Sequence, residues 1–139
     1  MKPLTYHAQP PFQRLADKAA KAWNRALHMK AFRAVPVADI AISFGPVDTR
    51  TQPGRVAQHE HVDGMHIITL RPDITWRITV WQRVMGLGQE DAYSALLHEF
   101  GHCLGLPHSR NYTHVMHHEL GSTVISAEEA KGYRQFLGL

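Results

Sequence analysis

His98-Glu99-Phe100-Gly101-His102-Cys103-Leu104-Gly105-Leu106-Pro107-His108 is the stretch whose reading decides the fold. It has the pattern H-E-x-x-H-x-x-G-x-x-H, and each fixed position has a mechanical reason. His98 and His102 are four apart, so a helix projects both imidazoles from one face. Two neutral imidazole nitrogens on one face can hold one Zn²⁺ at about 2.0–2.1 Å each. Glu99 is offset around the helix, where it can reach a water at the metal without becoming a ligand. Gly105 can end the helix, because glycine enters the left-handed conformation without a Cβ penalty. The chain then turns back and His108 can supply a third ligand. Three protein ligands and one open position form the catalytic arrangement of zinc, whereas a structural site is usually closed by four.

The flanking residues support a helix at this position. Ala92, Ala95, Leu96, Phe100 and Cys103 recur at helical spacing. Glu90 and Asp91 are placed in its first turn, where negative charge suits the helix dipole. The competing reading is a helix with scattered surface histidines. Five fixed positions on a helix-compatible stretch favour the metal site. Cys103 is read as a small packed residue, with a fourth metal ligand or a redox switch as the alternatives.

Working outward, Lys2 to Ala8 reads as a strand ended by Pro10-Pro11. Phe12, Leu15, Ala19, Ala22, Trp23, Ala26 and Leu27 predict an amphipathic helix over about residues 12–31. Ile40, Ile42 and Phe44 alternate in a strand over 39–44 that stops at Gly45-Pro46. Residues 48–54 are a loop. Strands are expected over 55–62 and 65–70, joined by the turn signal Asp63-Gly64. Residues 73–89 fit more than one period. After His108 a turn-rich segment runs to about Val124, and Ser126 with Glu129 forms a capping-box signature opening a final helix to about Leu137.

Composition bounds the rest. The chain has 139 residues, 44% hydrophobic and 19% charged, enough for one domain with a real core and not for two. No run approaches the roughly 20 apolar residues of a membrane span, and the first residues lack the apolar core of a signal peptide. The expected location is cytoplasmic, or outside by a non-classical or phage-type route. One cysteine excludes an internal disulfide. The net charge is +3 and the isoelectric point about 9.2. Lys18, Lys21, Arg25, Lys30 and Arg33 are spread along the first helix, which reads as a solvated face rather than a nucleic-acid surface. The anomaly is eleven histidines, of which the motif uses three.

These residues resemble the metzincin zinc peptidases. Ser109 after the third histidine makes the chain most similar to the matrixin branch, the matrix-metalloproteinase-like group. The resemblance spans nearly the whole chain: Leu4-Thr5-Tyr6 is similar to the first strand, the Trp23 helix to the long backing helix, residues 38–44 to the second strand and residues 126–133 to the C-terminal helix. Val115-Met116 falls where the family places a methionine turn under the metal. The resemblance implies an α+β, zincin-like fold in one domain, 1–139, with an upper part (1–105) carrying a small twisted mixed sheet and two helices, and a lower part (106–139) carrying the third ligand, the methionine turn and a last helix. It implies one catalytic Zn²⁺ on His98, His102 and His108, Glu99 as general base, and Met116 and Gly105 as structural support. The implied activity is that of a monomeric endopeptidase acting on an extended protein or peptide substrate, paired with a strand edge near residues 55–60, without nucleic-acid or membrane partners.

Several departures limit that likeness. No cysteine-switch element precedes the domain, so latency by a thiolate ligand is not expected. The His-Gly-Asp element expected near Asp48 is missing. His59, His61 and His66 are therefore read as solvent-exposed strand histidines, with a second zinc held by the three as the alternative; the family's structural zinc and calcium loop is not clearly present. His117-His118 stands where matrixins often carry Pro-x-Tyr, and His118 is read as a turn residue, with a second group at the metal as the alternative. An inactive zinc-binding module and a DNA-associated H-E-x-x-H protein are the rival readings. Glu99 speaks against the first; Gly105 and His108 speak against the second.

Overall fold

The computed structural model describes residues 2–139. The chain opens with β1 (Leu4–Ala8), followed by α1 (Pro10–Leu27). The helix starts two residues before the expected position. Prolines at its first two positions remove N–H groups that have no helical partner there. It ends four residues early, where His28 adopts a left-handed conformation at φ 56°. After a short turn the chain forms β2 (Phe32–Ala34), which the sequence reading missed. Asn24 anchors this turn: its side-chain oxygen accepts from the N–H groups of Ala31 and Phe32, and its Nδ2 donates to the Phe32 carbonyl.

The sheet is completed by β3 (Ile40–Phe44), β4 (Ala57–Val62) and β5 (Met65–Leu70), in the order β2-β1-β3-β5-β4. Neighbours are parallel except β4, which runs antiparallel to β5 at one edge. Asp63 and Gly64, at φ 51° and 78°, make the tight reversal between β4 and β5. The open stretch 73–89 resolves into β6 (Trp76–Arg77) and a single short helix, α2 (Val80–Met85). Thr79 and Gln82 close a capping box on α2, a T-x-x-Q signal present in the sequence.

Glu90 and Asp91 lie outside the motif helix. They form β7, paired with β6, and Asp91 caps the helix by accepting from the Ser94 N–H. The motif helix is α3 (Ala92–Cys103), and the last is α4 (Ala127–Phe136), which carries the expected capping box on Ser126 and Glu129.

The core lies between the sheet and the helices. Phe12, Trp23, Phe32, Phe100, Leu96, Leu97 and Met116 are among the largest fully buried side chains. A buried side chain of this size contributes about 1.5–3 kcal/mol. The Trp23 indole donates to the Leu97 carbonyl across 2.9 Å and its ring meets Tyr133 of α4 at 5.3 Å. One residue of α1 thus fixes both α3 and α4. Among the described residues no helix is long and apolar enough to cross a membrane.

Candidate active site

Helix α3 carries His98, Glu99 and His102, and the chain reverses just after it. Gly105, at φ 86°, takes the left-handed turn that L side chains rarely adopt. His108 returns toward the helix, its ring 5.1 Å from that of His98 and 4.9 Å from that of His102. One ring nitrogen from each of His98, His102 and His108 lies within 4.8 Å of the other two.

The orientation of the two helical imidazoles follows from their backbone partners. His98 Nδ1 meets the Val115 carbonyl at 2.9 Å, and His102 Nδ1 meets the Leu106 carbonyl at 2.9 Å. A carbonyl only accepts, so both Nδ1 atoms carry the proton and both Nε2 atoms present lone pairs. Those two Nε2 atoms are 3.1 Å apart. Two lone pairs facing at that distance repel unless an electrophile lies between them. The donor set therefore fits a zinc ion, and the carbonyls are the outer partners that fix the tautomer.

Burial lowers the affinity of these imidazoles for protons. His98 is pushed down to about 3, chiefly by burial, with the Val115 hydrogen bond opposing and neighbouring histidines adding. His102 and His108 are lowered for the same first reason. All three are neutral near pH 7, as metal ligation requires. Glu99 is only 5% exposed, and burial pushes its carboxyl up to about 8. Its Oε2 is buried with no hydrogen-bond partner among the described residues.

The histidines and Glu99 line a cavity of about 420 Å³ together with Arg55, Gln58, Glu90, His118 and Leu120. Strand β4 forms one wall, and among the described residues its second edge pairs with no other strand. Below, Met116 is fully buried and packs against Gly101, where an added Cβ would overlap its sulfur. Glu129 of α4 supports this floor from behind. Its Oε2 accepts from the Val115 N–H at 3.0 Å and from the Tyr133 hydroxyl at 2.8 Å.

Other histidines differ from their sequence reading. His118 lines the cavity 6.3 Å from the His108 ring, although its side chain is largely exposed. His66 is buried and His59 half-buried, against the expectation of solvent-exposed strand histidines; only His61 is exposed. The reason is register: His59 lies opposite Ile68 and His61 opposite His66, on the sheet face that Ala57 and Leu70 bury. The roles of Val115, Leu106 and Arg55 were missed. Backbone carbonyls leave no mark in a sequence, and Arg55 is a lone charge in a loop-strand border.

No curated protein sequence matches the chain. The family model of the matrixins matches residues 5–135, spanning the sheet, the histidine motif and most of the last helix. With three convergent imidazoles and a buried glutamate inside that span, the chain belongs to the matrixins, a family of zinc metallopeptidases.

Proposed function

We propose that the chain is an endopeptidase that hydrolyses peptide bonds with Glu99 as general base and one zinc held by His98, His102 and His108. The observation that carries this reading is the buried, unpartnered Oε2 of Glu99 beside the three imidazoles. A site that only holds a metal has no use for such a carboxylate, and leaving it buried costs stability. Zinc in this position supplies Lewis-acid chemistry: it brings the pKa of water toward about 7 and polarises a carbonyl.

The protein's own groups do the remainder. Glu99 Oε2 accepts a proton from the attacking water. Burial raises its basicity, and a nearby cation draws the value back toward neutral, where a general base works best. The same oxygen then gives the proton to the leaving amine nitrogen. Val115 and Leu106 hold the imidazoles in the required tautomer. Met116 packed on Gly101 fixes the floor of the site. An extended peptide pairs its backbone with the free edge of β4, which presents unpaired N–H and C=O groups beside the cavity.

The test is Glu99→Gln with zinc content and peptide cleavage measured on the same sample. Zinc binding is expected to stay near one equivalent at this site while turnover falls by about 10²–10⁴-fold, the usual worth of a general base. Turnover within a few-fold of wild type, with contaminating protease excluded, overturns the reading.

A further inference from the structure

A second set of donors converges behind His102, on the inner face of the sheet. The β4–β5 register points His59 and His66 into the protein, and His59 Nε2 lies 2.8 Å from His66 Nδ1. Cys103 comes from the other side. Consecutive helical residues are about 100° apart around the axis, so His102 faces the cavity while Cys103, 6% exposed, faces the strands. One ligand atom from each of His59, His66 and Cys103 lies within 4.8 Å of the others, as in the His98–His102–His108 set.

The plain alternative is an imidazole pair sharing one hydrogen bond beside a packed thiol. It accounts for the 2.8 Å contact and for a buried thiol, but gives no reason for the three ligand atoms to converge within 4.8 Å. The chain has a single cysteine, and three separate elements, β4, β5 and α3, bring it together with two of the eleven histidines. His61 stacks on His66 at 4.1 Å, adding a further imidazole at the rim. A tetrahedral zinc with nitrogens at about 2.0–2.1 Å and sulfur at 2.3 Å sets donors about 3.3–3.6 Å apart. The imidazole pair needs to open by only about half an ångström to reach that spacing.

We propose that His59, His66 and Cys103 form a second zinc site, with its fourth position open toward the rim near His61. Two imidazoles and a thiolate select zinc over hard cations such as calcium or magnesium. The thiol gives up its proton to solvent on ligation. The site clamps β4 and β5 to α3, fixing the cavity wall against the helix that carries His98 and His102. It is independent of the peptidase reading, because it shares no ligand with the first set.

The experiment combines zinc analysis after exhaustive dialysis with cobalt(II) substitution of the purified chain. Wild type is expected to hold two zinc ions, and Cys103→Ala and His108→Ala one each. Cobalt-loaded His108→Ala is expected to keep a thiolate-to-cobalt charge-transfer band, which Cys103→Ala lacks. His59→Gln, at a half-exposed position, repeats the loss of one zinc should Cys103→Ala fail to fold. The proposal is overturned if no thiolate band forms in His108→Ala, or if Cys103→Ala or His59→Gln folds and still holds two zinc ions. Failure of the first site alone gives a different pattern: one zinc in wild type, with the thiolate band present.

Discussion

Replacing Glu99 by glutamine should make the chelator-treated protein more stable above neutral pH, although it removes the proposed base. The Glu99 carboxyl rises from an ordinary 4.5 to about 8 because it is buried without a partner. A group whose folded pKa is raised contributes stability that is fully present below the unfolded value and is lost as pH rises through the folded one. The loss therefore falls between about 4.5 and 8. At about 1.4 kcal/mol per pH unit, that span sets a ceiling of roughly 5 kcal/mol. Relaxation and water entry reduce such penalties, so about 2–3 kcal/mol is expected. Glutamine has the same shape and no charge to desolvate. Urea unfolding in excess chelator, followed by tryptophan fluorescence, reads the difference. The Glu99→Gln advantage should grow by about 2–3 kcal/mol from pH 5 to pH 8.5, moving the midpoint by about 1–2 M urea. Parallel pH profiles for the two proteins, or a variant that loses ground as pH rises, refute the reasoning.

Two further substitutions probe the support of the site. Gly101→Ala gains up to about 1 kcal/mol of helix propensity, but its Cβ meets Met116 Sδ and sits 3.0 Å from Trp23 Cζ2. Overpacking of this kind costs about 1–3 kcal/mol, so thermal unfolding should move to lower temperature; a rise shows that the floor has slack. Glu129→Ala leaves the Val115 N–H and the Tyr133 hydroxyl without their acceptor. It should cost about 2–4 kcal/mol in urea unfolding. Because the Val115 carbonyl orients His98, zinc affinity should also weaken about 10-fold in competition with a chelating dye. Unchanged affinity would show that α4 and the three imidazoles are uncoupled.

The parts of the structure legible in the sequence are those governed by local rules. Helical spacing of apolar residues exposed α1 and α3, alternation exposed β3, and the Ser126–Glu129 capping box located α4. The histidine motif placed three imidazoles together because helix geometry and one glycine turn suffice for it. What stayed hidden depends on partners distant in sequence. Strand β2 exists because Asn24 and β1 hold residues 32–34, which carry little strand signal of their own. Burial of His59 and His66 follows from strand register, and alternation of polar residues alone did not reveal which face turns inward. Glu129 was visible as a cap, while its grip on Val115 depends on how α4 docks.

The open edge of β4 also has a consequence for the protein in concentrated solution. An unpaired strand edge can accept any extended chain, including β4 of a second molecule. The strand is six residues long and carries exposed Glu60 and His61 near its centre. Charge there repels a like strand approaching from another copy and leaves a neutral, extended peptide free to pair. Glu60→Val removes that guard. Light scattering should then detect concentration-dependent association, and a monodisperse Glu60→Val sample would show that the charge does not serve this purpose.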